Sequence, residues 1–222
     1  MRIITGLYKG RRFDIPRSFK ARPTTDFAKE NIFNVLAGHI DLEGKQALDL
    51  FSGTGSITLE LLSRGCDRVV SVEIDRDHHA FIKQCLAKIG AVNCLPLRAD
   101  ALRFVKSCRQ KFDFIFADPP YALGELAAIP GMVFASGILS EGGVFVLEHG
   151  AKNDFSSDAH FIERREYGSV NFSIFKGWRL PAFFCMRHTA LGAPPCHGCG
   201  PGTAHCACPW GAARLTARAR AA

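Results

Sequence analysis

The chain has 222 residues and a formal net charge of +7, with 47% hydrophobic and 22% charged side chains. This length and composition fit one large α/β domain, or a domain with a small appendage. No segment reaches the roughly 18–20 uninterrupted apolar residues of a membrane-spanning helix, and the N-terminus lacks the apolar run of a secretory signal. We therefore expect a cytoplasmic protein rather than an integral membrane protein.

The charge is distributed unevenly along the chain. Residues 1–22 carry +6, residues 23–176 carry −4 and residues 177–222 carry +5. A basic N-terminal segment ahead of a mildly acidic body indicates an edge that binds a polyanion. On charge alone, a solvated basic hairpin is an equal alternative.

The pattern of apolar residues predicts the elements in chain order. Residues 2–15 alternate apolar and polar positions around two glycines, which predicts a β-hairpin, and the apolar stripe in 26–37 predicts an amphipathic helix. From residue 46, strands and helices alternate, which predicts a mostly parallel sheet with helices on both faces. The predicted strands are Gln46–Phe51, Arg68–Ile74, Cys94–Arg98, Phe112–Ala117, Gly143–Glu148, His160–Glu166 and Val170–Phe175. The predicted helices between them are Ser56–Ser63, Asp77–Ile89, Ala101–Cys108 and Leu123–Ala135.

The segment ALDLFSGTGS, residues 47–56, has the pattern of a cofactor-binding loop. Asp49 lies near the end of an apolar strand, and Gly53 and Gly55 let the backbone approach a ligand where such sheets bind nucleotides. Thr58 stands where the dinucleotide fingerprint has its third glycine, which counts against NAD and FAD. No Gly-Lys-Ser/Thr follows, so a P-loop is excluded.

Two further acids follow the next two predicted strands. Glu73 lies about 20 residues beyond the loop, where an acid can accept hydrogen bonds from both ribose hydroxyls of an adenosine. Asp100 follows the next strand and could meet the adenine amino group. Each acid alone is more simply a solvated carboxylate at a strand end, but three at successive strand ends favour a nucleotide site.

The most specific motif is Asp118-Pro119-Pro120-Tyr121, directly after an apolar strand. Two prolines cannot continue a ladder, so the chain leaves the sheet in a stiff turn. The Asp118 carboxylate and the Pro119 carbonyl could then accept both N–H groups of a planar exocyclic amine, with Tyr121 stacked on its ring. The nitrogen lone pair would face a methyl donor. A simple Asp-Pro turn is the alternative.

These residues resemble a known family. The Gly-x-Gly loop, the strand-end acid and the Asp118–Tyr121 motif resemble the Rossmann-like class I S-adenosylmethionine-dependent methyltransferases that modify an exocyclic amino nitrogen. Three N-terminal segments (RIITG at 2–6, KGRR at 9–12 and RPTTD at 22–26) resemble one branch over residues 1–176, the bacterial 16S ribosomal RNA guanine-N2 methyltransferases. Tyr121 departs from this branch, many of whose members have Phe; either ring supplies a stacking face.

The resemblance implies S-adenosylmethionine as cofactor and 16S ribosomal RNA, free or in the assembling 30S subunit, as substrate. The implied cofactor-binding residues are Asp49, Phe51, Ser52, Gly53, Thr54, Gly55, Glu73, Ile74, Asp100 and Ala101. Asp118, Pro119, Pro120 and Tyr121 would hold the target base. Lys9, Arg11 and Arg12 would bind phosphates without reading sequence, and Arg22 and Thr24 would close over the cofactor or the flipped nucleotide.

The expected domains are a basic hairpin and linker over 1–25, a methyltransferase domain over 26–176 and an atypical tail over 177–222. The tail is rich in Ala, Gly, Pro, Cys and Arg but has no Lys or acidic residue. This composition favours an out-of-frame or vector-derived extension over an RNA-binding tail or a zinc site on Cys196, Cys199, Cys206 and Cys208.

Three other functions fit parts of the pattern. A DNA adenine-N6 methyltransferase could use the same Asp-Pro-Pro-Tyr, although no target-recognition domain is evident. A protein-glutamine methyltransferase also acts on a planar amide, but the basic N-terminal edge would then serve no purpose. A non-catalytic RNA-binding protein would not need Gly53, Gly55, Glu73 and Asp118 together.

Overall fold

The computed structural model describes residues 1–19 and 25–177. Seven strands form one sheet in the order β3-β2-β1-β4-β5-β7-β6. The strands are β1 Gln46–Leu50, β2 Arg68–Glu73, β3 Cys94–Arg98, β4 Phe112–Ala117, β5 Leu139–His149, β6 Phe161–Tyr167 and β7 Val170–Lys176. The helices are α1 Asp26–Leu36, α2 Ser56–Ser63, α3 Arg76–Ile89, α4 Ala101–Ser107 and α5 Ile129–Ser136, with a 3₁₀ turn over Leu126–Ala128.

Strands β1 to β5 run parallel, and β7 joins β5 to the edge strand β6 in antiparallel pairing. The order reverses between β1 and β4, so the crevice in front of these two strands is the switch point where open α/β sheets bind ligands. The predicted fold class, a mostly parallel sheet covered by helices, is confirmed. In the part of the chain that the structure describes, no helix is both long and apolar enough to cross a membrane.

Some predicted boundaries are wrong. The predicted helix Leu123–Ala135 is a 3₁₀ turn followed by α5, which starts at Ile129 with Pro130 in its first turn. Proline has no backbone N–H to donate and suits the first turn of a helix, where that donor has no partner. Strand β5 starts earlier than predicted because Leu139 already pairs with Phe112 of β4.

The predicted N-terminal hairpin is a chain reversal with a single isolated bridge, between Arg2 and Arg12. Its two arms exchange backbone hydrogen bonds, from Ile3 to Arg11, from Gly10 to Ile3 and from Phe13 to Met1, and its tip also bonds to α2. The N–H of Leu7 donates to the Ser63 carbonyl at 2.7 Å, and the N–H of Tyr8 donates to the Ser63 hydroxyl at 2.9 Å. The alternating pattern thus predicted the reversal but not the helix that holds it.

Apolar side chains form one core on each face of the sheet. Ala47, Phe116, Val146 and Phe172 point toward the core that contains α1, α2 and α3, while Leu48, Ile115 and Phe145 point toward α4 and α5. Because side chains alternate along a strand, residues two positions on from Ala47, Phe116 and Val146 share their face. Those residues are Asp49, Asp118 and Glu148, so the acids at the ends of β1, β4 and β5 lie on one side of the sheet.

Candidate active site

The loop after β1 takes backbone conformations that favour glycine. Gly53 and Gly55 have φ of 52° and 76°, and Phe51 has φ of 61°. A Cβ on Gly55 would lie 2.9 Å from the Ile82 side chain of α3, so this position has no room for a larger residue. At Gly53 the atom nearest to a Cβ would be the Phe51 carbonyl oxygen at 3.9 Å, so the backbone there is open to a ligand.

The polar side chains of this loop turn inward. The Ser52 hydroxyl donates to the Asp49 carbonyl at 2.8 Å and accepts a bond from the Ser71 hydroxyl at 2.9 Å. Thr54 is buried as well. The side chains of Ser52 and Thr54, which the sequence places at the cofactor, are therefore turned into the protein.

Glu73 at the end of β2 fixes the loop. One carboxylate oxygen accepts from the N–H of Gly53 at 2.7 Å and the other from the N–H of Asp75 at 2.8 Å. A carboxylate has about four acceptor positions, so two remain for hydroxyl groups of a ligand. The adjacent Ile74 is 62% exposed and offers an apolar surface next to this carboxylate.

Asp100 lies beside Glu73 because the N–H of Ala99 donates to the Glu73 carbonyl at 3.1 Å. Its carboxylate accepts from the N–H of Arg103 at 2.8 Å and so caps helix α4. Ala101, the first residue of α4, is buried. The structure therefore brings together the acids that the sequence assigns to the ribose and the adenine.

Asp49 is 1% exposed, and the Thr58 hydroxyl donates to its carboxylate at 2.5 Å. Burial raises the pKa of Asp49 to about 7, against the opposing effect of the Thr58 hydrogen bond. Thr58, which stands where the dinucleotide fingerprint has its third glycine, therefore supports the Asp49 carboxylate from the first turn of α2.

The Asp118–Tyr121 motif leaves β4 next to the end of β1, since the N–H of Asp118 lies 3.4 Å from the Leu50 carbonyl. Pro119 is buried and Pro120 is exposed. Burial, then the negative charges of Glu148 and Asp49, raise the pKa of Asp118 well above its usual range. Tyr121 is 50% exposed, and its ring lies beside Gly150 at the end of β5.

Glu148 is a site residue that the sequence analysis did not identify. It is 5% exposed at the end of β5, and the Tyr121 hydroxyl lies within hydrogen-bonding distance of its carboxylate, at 3.3 Å. Burial and the negative charge of Glu148 raise the pKa of Tyr121. The available signal was an acid directly after the apolar run VFVL, next to the strand that carries Asp118. Asp49 and Glu148, which are buried, and Asp118, which is partly buried, together form a cluster of three carboxyl groups, which we call the acid cluster.

The predicted RNA-binding side chains Lys9, Arg11 and Arg12 are all exposed. The Arg11 guanidinium donates to the Lys88 carbonyl at 2.9 Å, near the end of α3, and lies 5.8 Å from the centre of the Tyr8 ring. Arg22, Thr24 and residues 178–222, with the tail cysteines, lie outside the described residues.

A fully buried ion pair between Lys29 and Glu60 joins the N-terminal segment to helix α2, which follows the glycine loop. The Lys29 ammonium donates to the Arg2 carbonyl at 2.6 Å and to the hydroxyl of Ser56, the residue after Gly55, at 3.1 Å. It lies 3.7 Å from the Glu60 carboxylate, which accepts from the backbone of Ile4 and Thr5. Sequence spacing gave no signal for this long-range network.

Known proteins are similar to this chain over most of its length. A family model described as Conserved hypothetical protein 95 matches residues 1–176. The ribosomal RNA small subunit methyltransferase D of Escherichia coli K12 is 32% identical over 153 residues, covering 69% of this chain and 76% of that protein.

Two solved structures share the fold. YhhF from Escherichia coli has a TM-score of 0.72 and 27% identity, over 81% of this chain and 99% of that chain. The Thermus thermophilus 16S rRNA N2 G1207 methyltransferase RsmC, solved with AdoMet and guanosine, has a TM-score of 0.57 and 23% identity, over 72% of this chain and 44% of that chain. The resemblance drawn from the sequence is thereby confirmed, and the chain belongs to the family described as Conserved hypothetical protein 95, as a relative of the ribosomal RNA methyltransferases.

Proposed function

We propose that this protein transfers a methyl group from S-adenosylmethionine to the exocyclic N2 amine of a guanine in 16S ribosomal RNA. The observation that carries the proposal is the acid cluster with Tyr121, set beside a glycine loop at the switch point of the sheet. The name of the Escherichia coli relative supports ribosomal RNA as the substrate.

The crevice fits S-adenosylmethionine on three counts. The open backbone at Gly53 admits close approach, Glu73 has acceptor capacity for a ribose, and Ile74 offers apolar surface for a base. The buried Asp49 carboxyl suits a cationic ligand because a positive charge nearby favours the ionised form of a carboxyl group whose pKa is raised by burial. Bound there, S-adenosylmethionine would supply the electrophilic methyl group.

The protein's own residues then position the amine. The Asp118 carboxylate and the Pro119 carbonyl accept the two N–H groups, which leaves the nitrogen lone pair directed at the methyl donor. Positive charge would grow on the nitrogen as the new bond to carbon forms and the bond from sulfur to the methyl group breaks, so acceptors already fixed around it stabilise the transition state more than the ground state. The Asp118 carboxylate would take the proton that the amine loses. The Glu148 carboxyl group lies beside Tyr121, and its bond from the Tyr121 hydroxyl orients the ring on which the base stacks.

An RNA substrate fits the remaining features. The N2 amine lies on a base edge, so the nucleotide must leave its stack to reach the pocket. The exposed cations Lys9, Arg11 and Arg12 would contact phosphates. We place the enzyme in the cytoplasm, acting on 16S RNA or the assembling 30S subunit, with the methyltransferase domain at 26–176 following a hairpin and linker at 1–25.

The test is methyl transfer from radiolabelled S-adenosylmethionine, offered in parallel to unmethylated 30S subunits, naked 16S RNA and duplex DNA. We expect label in ribosomal RNA, recovered as N2-methylguanosine after digestion to nucleosides. Label only in DNA, recovered as N6-methyladenine, would replace the proposal with the adenine alternative. Cofactor binding without label in any of the three would refute a nucleic-acid substrate.

A further inference from the structure

Two aromatic rings lie together at the rim of the site without a role in the proposed reaction. Phe27, the second residue of α1, is 68% exposed. Its ring meets that of Tyr167, the last residue of β6, at a centroid distance of 6.2 Å and an interplanar angle of 89°. We call this pair the aromatic rim. Exposed aromatic surface beside a binding site indicates contact with a partner.

Strand register connects the aromatic rim to the acid cluster. Glu148 pairs with Phe172 across β5 and β7, and Phe172 pairs with Arg165 across β7 and β6. Tyr167 lies two residues beyond Arg165 and so shares its face of the sheet. The ring of Tyr167 lies 6.0 Å from that of Phe172. The aromatic rim thus continues the same face and the same edge of the sheet as the residues that would hold the target base.

The charge around the rim selects the chemistry of the partner. In the described part of the chain, Arg2 pairs with Asp26 at 3.3 Å and Arg165 with Glu163 at 2.5 Å, so these two cations beside the rings each already have a carboxylate. A locally neutral surface suits an uncharged planar group better than a phosphate. Two aromatic rings bury about 150–250 Å² each, whereas a stable protein interface buries roughly 800 Å² per partner, so the rim alone is too small to bind a protein.

We propose that the exposed ring of Phe27, held edge-to-face against Tyr167, stacks an unpaired base that flanks the target guanine in the RNA. This inference rests on the proposed function, since it assigns a second subsite to the same substrate. A strand that delivers one base into the pocket loses stacking at the neighbouring base, and an aromatic ring outside the pocket replaces it. Because every base has a π-face, the rim tolerates any neighbour.

The test compares Phe27→Leu, which keeps apolar bulk but removes the ring, with Phe27→Trp, which enlarges it. Val92→Ala, at an isolated side chain that is 96% exposed on the loop after α3, is the surface control. Methyl transfer is measured against concentration of the 16S RNA or 30S subunit that the wild type modifies. Stacking of about 1–3 kcal/mol per base predicts that Phe27→Leu raises KM at least about fivefold. We expect kcat and the Kd for S-adenosylmethionine to stay unchanged and Phe27→Trp to match or improve on the wild type.

Each outcome separates this inference from the proposed function. Transfer by the wild type and by Val92→Ala establishes the reaction whatever Phe27 does. A KM for Phe27→Leu equal to that of the wild type would overturn the stacking subsite, as would a Phe27→Trp enzyme no better than Phe27→Leu. A wild type that modifies neither RNA nor subunits would remove the proposed function, and this inference with it.

Discussion

Replacing Asp49 by asparagine tests the electrostatics of the acid cluster through folding stability. The Asp49 carboxyl has a pKa of about 7 in the folded protein, against about 3.9 in an unfolded chain. Between these values the folded state binds the proton and the unfolded state does not. The stabilisation is therefore fully present below about pH 4 and is lost as the pH rises through 7.

The magnitude follows from the shift. From pH 5 to pH 7 the folded state holds about one more proton at this site, and two pH units correspond to about 3 kcal/mol. Between pH 5 and pH 8, the unfolding free energy of the wild type should therefore fall by about 3 kcal/mol more than that of Asp49→Asn. Asparagine keeps the shape and an oxygen to accept from Thr58 but has no titrating proton.

Urea denaturation at the two pH values measures this difference, with Asp67→Asn as a control at an exposed acid. The control should follow the wild type. Parallel pH dependence of Asp49→Asn and the wild type would show that Asp49 titrates normally, and would refute the burial argument for the acid cluster.

Two further substitutions test how the N-terminal segment is held. A Cβ on Gly6, whose φ is 88°, would lie 1.7 Å from the Ser63 carbonyl oxygen, so Gly6→Ala should lower the unfolding free energy by at least about 3 kcal/mol. Gly10→Ala, at a similar φ of 81° but with no atom within 4 Å, should cost only about 1 kcal/mol, and equal losses in urea denaturation would contradict the docking on α2. Lys29→Met removes one of the two cations that pair with the buried Glu60 and leaves only Arg64, at 3.1 Å, so it should cost about 3 kcal/mol. Adding Glu60→Gln should recover part of that loss, and strictly additive effects would show that the two charges do not interact.

The sequence predicted the sheet because its signals are local. Each parallel strand is an apolar run, and Asp118-Pro119-Pro120-Tyr121 punctuates one of them with residues that cannot continue a ladder. The positions of Glu73 and Asp100 followed from counting strands, since the carboxyl ends of parallel strands meet at one edge.

The parts that sequence reasoning missed depend on contacts between distant segments. Glu148 reads as a solvated strand-end acid until β5 is known to lie beside β4, which puts it next to Tyr121. Lys29 and Glu60 read as ordinary helix charges, because their pairing requires the N-terminal reversal to pack on α2. Propensity and spacing contain no information about such packing.

The most direct test of the central claim is a comparison of methyl transfer and cofactor binding in Asp118→Ala. Asp118 binds the target amine in the proposed reaction, so kcat for ribosomal RNA should fall by at least about 10²–10³ in Asp118→Ala. The Kd for S-adenosylmethionine, followed by calorimetric titration, should change by less than about threefold. Equal loss of both, or methyl transfer that survives the substitution, would contradict the assignment of Asp118 to the target base.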